Sequence, residues 1–124
     1  MAKKDQLSEE SRALIRSRIP NYFSLTDEEA KFAVIEVIID DFYLFCERNL
    51  MIVNKDGELV VFEPNWPQRQ LIDRVLEDIA NGRPVRYIIL KARQMGLSTA
   101  IEALCYWWTS THKNVRSVIM AHDK

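Results

Sequence analysis

The residues with the clearest chemical potential lie in one stretch, Lys91-Ala92-Arg93-Gln94-Met95-Gly96-Leu97-Ser98-Thr99. Two cations, Lys91 and Arg93, precede a glycine, and two hydroxyls, Ser98 and Thr99, follow it. Cationic side chains, a glycine that lets backbone amides approach closely, and a hydroxyl able to reach Mg²⁺ are what a bound triphosphate needs. An anion is best met where a helix begins, because the first amides are unpaired and the helix dipole is positive there. The chemistry therefore depends on whether these residues sit between a strand and a helix.

The surrounding sequence predicts that they do. Val85-Arg86-Tyr87-Ile88-Ile89-Leu90 is a run too apolar for a one-sided sheet and suited to a buried parallel strand. A helix is expected from Ser98 to about Thr111, and a second buried strand over 114–120. Strand, loop, helix and strand within residues 85–120 make a βαβ unit with a right-handed crossover. Against the phosphate-loop pattern Gly-x-x-x-x-Gly-Lys-[Ser/Thr], Gly96 and Ser98 fall on the second glycine and the hydroxyl. Lys91 takes the first glycine's place and Leu97 the lysine's. The cationic charge would then come from the start of the loop, with the amides of Gln94 to Thr99 as donors and Ser98 on the metal. The bland alternative is a basic turn that only joins a strand to a helix.

Upstream, Asn65-Trp66-Pro67-Gln68 opens a helix expected over about 67–80 and ended by Asn81-Gly82. A Gln beside such a loop can pair with adenine N6 and N7; Gln68 and Gln70 are both placed for it, and Trp66 could lie on the base or anchor a core. Further back, Asn54-Lys55-Asp56-Gly57 between Leu50–Val53 and Glu58–Phe62 reads as a β-hairpin. Ser8 opens a short helix to about Arg18, stopped before Ile19-Pro20. Thr26-Asp27-Glu28-Glu29 is a capping box opening a helix to about Asn49, whose apolar positions wrap most of the way round and predict burial on more than one side. Its Asp40-Asp41 pair reads as a solvated patch rather than a metal site.

Composition sets the outer bounds. The 124 residues are 48% hydrophobic and 28% charged, which suits a globular domain and excludes disordered or fibrous classes. The most apolar run, Phe32–Ile39, is broken by Glu36 and too short to span a membrane. The N-terminal lysines have no apolar stretch behind them, so no secretory signal is read, and Cys46 and Cys105 lack partner spacing, consistent with a reduced, cytoplasmic chain. Residues 1–63 hold 8 Lys+Arg against 13 Asp+Glu, and residues 64–124 hold 9 against 5. A basic second half suits an anionic ligand. His112 and His122 have no ligand partners at metal spacing, and Tyr106, Trp107 and Trp108 read as core.

Together these residues resemble the N-terminal ATPase region of tailed-phage terminase large subunits. The resemblance covers about residues 42–124 and rests on Phe45-Cys46-Glu47-Arg48-Asn49-Leu50, Lys55-Asp56-Gly57, Asn65-x-x-Gln68 and Ile89 to Thr99, with its Arg-Gln step before the glycine. It implies an α/β fold with a P-loop NTPase-type parallel sheet, incomplete here, preceded by helices and a β-hairpin. Residues 1–49 would be a helical extension and 50–124 the first part of the ATPase domain. It also implies ATP and Mg as cofactors, Lys91 as the functional lysine, Arg93 acting on the γ-phosphate, and Gln68 as the adenine reader. Double-stranded DNA, a small subunit, a portal protein and further copies of the motor are the implied partners, in the cytoplasm of a bacterial host. An acidic pair ending an apolar strand, needed to activate water, is missing: Val118-Ile119-Met120-Ala121-His122-Asp123 matches it only superficially. The expectation is a truncated motor segment that binds nucleotide weakly and does not turn it over alone. Another P-loop ATPase, such as a helicase, and a non-enzymatic interaction module with a vestigial loop are the competing readings.

Overall fold

A computed structural model describes residues 7–90 and 96–120. The chain forms two compact units, Met1–Glu63 and Pro64–Lys124. It is mixed α/β and mostly helical.

In the first unit, α1 (Glu9–Arg18) is capped by Ser8, whose hydroxyl accepts from the Ser11 amide. A 3₁₀ turn at Tyr22–Ser24 leads to α2 (Asp27–Asp40), where Thr26 and Glu29 complete the expected capping box. The single helix expected over 26–49 is instead two, because α2 stops at Asp40 and α3 runs over Phe42–Asn49. Asp41 takes extended backbone angles, and its carboxylate accepts from the Leu44 amide as the cap of α3. The same carboxylate pairs with Arg18 at 2.7 Å. A residue that satisfies a helix end and a cation at once offsets the broken hydrogen-bond ladder. Asp41 is thus a structural hinge rather than a patch on a continuous helix.

The break allows two short helices to present different faces to one core. Ile15, Ile38, Phe42, Leu44, Phe45, Cys46 and Phe62 are all buried. Glu47 ties α3 to the start of α1, accepting from the Ser8 amide and the Ser11 hydroxyl, each at 2.6 Å. Burial of α2 on more than one side does not occur: Ile38 is buried, whereas Phe32 is 70% exposed and Ile35 51%. The hairpin forms as expected, with β1 (Met51–Val53) antiparallel to β2 (Leu59–Val61) and Met51 opposite Val61. Gly57 has φ +80°, the left-handed angle that the turn demands.

In the second unit, α4 (Trp66–Ala80) packs on α5 (Leu97–Thr111). Ile72 and Val75 of α4, and Leu97, Ala100, Leu104 and Trp107 of α5, recur at helical spacing and are buried. The expected parallel sheet is not found. Among the described residues the one sheet is the antiparallel hairpin, and neither 85–90 nor 115–120 joins a ladder. A fully buried strand needs neighbours on its edges and cover on both faces. Tyr87 and Ile89 are partly covered, whereas Ile88 and Leu90 are each 96% exposed and Met120 is 91% exposed. The apolar run is therefore half-covered, with alternate residues facing outward. No helix among the described residues is long and apolar enough to cross a membrane.

Candidate phosphate-binding site

The start of α4 is built by Asn65. Its side-chain oxygen accepts from the Gln68 amide at 3.0 Å, and the Gln68 side-chain oxygen accepts from the Asn65 amide at 2.8 Å. This reciprocal capping box satisfies two helix-end donors at once, with Pro67 at a first-turn position that requires no amide. Gln68 is the one buried polar residue among the described residues, 6% exposed.

The other end of the Gln68 carboxamide points across to α5. Its Nε2 donates to the carbonyl of Gly96 at 2.7 Å. Gly96 is the N-cap of α5, with φ +71°, and its carbonyl also accepts the first intrahelical bond from Ala100 at 3.2 Å. Two constraints hold this position to glycine. The left-handed angle disfavours any Cβ, and a Cβ built there would lie 2.6 Å from Gln68 Nε2.

No side chain caps α5. Among the described residues, the amides of Leu97, Ser98 and Thr99 have no protein acceptor, as expected of a helix's first turn without a cap. The Ser98 side chain is exposed beside them and Thr99 is half-buried. Leu97, which takes the place of the usual lysine, is part of the core at 6% exposure and brings no cation to the helix start. Unpaired amides and a nearby exposed hydroxyl are the features that favour an anion at a helix start. Lys91, Arg93 and Gln94 lie outside the described residues.

The structure thus joins Gln68 to Gly96 and the start of α5. Trp66 is 70% exposed and anchors no core, whereas Gln70 is exposed on α4. The role of Asn65-x-x-Gln68 as a capping box escaped the sequence reading, although Asn followed three residues later by Gln is the signature of one.

The segment leading to the loop is held by a polar clamp. The Tyr87 hydroxyl donates to the Asp78 carboxylate, which also accepts from Arg83 Nε at 2.8 Å. Donation by Tyr87, then by Arg83, holds the Asp78 carboxyl below its usual range. The same bond holds the Tyr87 phenol above its usual value, and Arg83 is raised by its bond to Asp78. Beneath this segment lies a cavity of about 640 Å³ lined by Leu71, Val75, Ile89, Leu104, Cys105 and Trp107, among others. Trp107 is core as expected, whereas Tyr106 is 57% exposed. His112 stacks on Trp108 with ring centroids 3.6 Å apart, a structural contact at the end of α5. Among the described residues no three His, Cys, Asp or Glu side chains converge to hold a metal. Comparison with protein-family models, with curated proteins and with solved structures gives no match.

Proposed function

We propose that the chain is the nucleotide-binding segment of a terminase-like motor, taking Mg·ATP at the start of α5 within a P-loop-type arrangement. The observation that supports it most is the uncapped first turn of a 15-residue helix, entered through a left-handed glycine that stands five residues after Lys91 and three after Arg93 in the sequence. Backbone amides of Leu97, Ser98 and Thr99 would receive phosphate oxygens, with Lys91 and Arg93 neutralising charge. Ser98 would help hold the Mg²⁺ that arrives with the nucleotide, and the metal would supply charge neutralisation for the phosphates. In the whole motor this binding would serve hydrolysis coupled to movement of double-stranded DNA, with small-subunit, portal and neighbouring motor proteins as partners in a host cytoplasm.

Calorimetry with Mg·ATP tests the reading. The wild-type chain is expected to bind, and Lys91→Ala to weaken binding by about tenfold or more, the value of a charge-assisted contact. Equal heats from both proteins would refute it.

A second reading, an interaction module with a vestigial loop, draws on the exposed Phe32 and Ile35 of α2. It predicts self-association or partner capture without nucleotide binding, so light scattering together with the same calorimetry separates the two.

A further inference from the structure

The position of Gln68 supports a role different from base reading. Its side-chain oxygen is engaged by the Asn65 amide and its nitrogen by the Gly96 carbonyl, and the side chain is buried. A bidentate grip on adenine needs the oxygen and nitrogen of one carboxamide edge offered together to an incoming ring. Turning that edge outward would expose the Asn65 amide and remove the bond that restrains Gly96. Gly96 has left-handed angles, and its carbonyl, the first acceptor of α5, takes the Ala100 amide at 3.2 Å and shares a peptide plane with the Leu97 amide. Whatever fixes that carbonyl also fixes where those amides point.

We infer that Gln68 is a positioning residue for the phosphate end of the site: its carboxamide holds the Gly96 carbonyl, and through it the first-turn amides of α5, whatever base the ligand carries. This rests on the reading that the start of α5 receives phosphate. The ligand class it concerns is the polyphosphate itself, so base identity should be indifferent to Gln68. A residue that read adenine would behave in the opposite way.

The test compares Mg·ATP, Mg·GTP and Mg·tripolyphosphate binding to the full chain by calorimetry. Gln68→Met keeps the side chain's bulk and removes the bond to Gly96. Its effect is expected to be an equal weakening, about 2- to 10-fold for all three ligands, the range of one lost hydrogen bond. Asn65→Ala provides the control for stability alone. It removes the acceptor for the Gln68 amide but leaves the Gln68–Gly96 bond, so it should lower the thermal midpoint and leave the three affinities unchanged. Weakening confined to Mg·ATP would overturn the inference in favour of base reading, and unchanged affinities in Gln68→Met would overturn it outright. Equal losses in Gln68→Met and Asn65→Ala would also overturn it, leaving only a structural role. If wild type binds none of the three ligands, the phosphate reading itself fails and the inference with it. Should Gln68→Met not fold, the wild-type Gln68 side-chain amide resonances decide. They should move alike with Mg·ATP and Mg·tripolyphosphate, and a response to Mg·ATP alone would overturn the inference.

Discussion

Gly96→Ala offers a quantitative probe of how the site is built. An alanine at φ +71° costs about 1–2 kcal/mol for the left-handed backbone. The new Cβ would also stand 2.6 Å from Gln68 Nε2, displacing the carboxamide and losing its bond to Gly96, a further 0.5–1.5 kcal/mol or about that. The expected total is about 1.5–3.5 kcal/mol, a large part of what a small unit has. At about 4–8 °C per kcal/mol it lowers the unfolding midpoint by roughly 6–28 °C. Gly82 supplies the internal reference, with φ +68° and nothing within 4 Å of a Cβ, so Gly82→Ala should cost only the backbone part. Trp66, Trp107 and Trp108 are the only tryptophans and all lie in the second unit, so denaturation followed by tryptophan fluorescence reports on that unit. In a Gln68→Ala background the steric part disappears, and the added cost of Gly96→Ala should fall to that of Gly82→Ala. A cost no larger than that of Gly82→Ala in the wild-type background, or one unchanged by removing Gln68, would refute the reasoning.

Two further outcomes follow from groups outside the site. Burial, reinforced by Asp41, pushes the Cys46 thiol up to about 12, while Cys105 is half-buried; at pH 8 the folded protein should react quickly at Cys105 alone, with Cys46 reacting only on unfolding, and two fast thiols would contradict the packing. The Tyr87–Asp78 bond raises the phenol and lowers the carboxyl, so its stabilisation is complete between the two unfolded values. The stability difference between wild type and Tyr87→Phe should therefore be flat from about pH 5 to 9, shrinking as pH falls through the lowered Asp78 value and as it rises through the raised Tyr87 value. A pH-independent difference, measured by chemical denaturation, would count against the clamp.

Local chemistry was legible in the sequence where a few neighbouring residues decide the outcome. Asp56-Gly57 between β-branched runs defines the hairpin, and Thr26 with Glu29 defines the start of α2, because turns and caps close within four residues. The break at Asp41 was hidden by the apolar residues on both sides, Ile38-Ile39 and Phe42-Tyr43, which continue a helical pattern straight through it. An Asp placed before an apolar run, with its cap acceptor aimed three residues on, was the available signal. The segments 85–90 and 114–120 show a different limit. Their composition records a need for burial on two faces, but a ladder depends on partners distant in sequence, and among the described residues no strand pairs with either segment. The candidate site divides the same way. Gly96 and Ser98 could be picked out by type and spacing, whereas the bond from Gln68 across 28 residues to the Gly96 carbonyl could not. Its consequence, a glutamine engaged at both ends, changes the expected role of that residue.

The most direct measurement of the central claim is a titration of isotopically labelled chain with Mg·ATP, followed amide by amide. The account predicts that Gly96, Leu97, Ser98 and Thr99 show the largest saturable shifts and that Lys91→Ala moves their midpoint to about tenfold or more higher Mg·ATP. Shifts confined to other surfaces, or none at millimolar Mg·ATP, would contradict it.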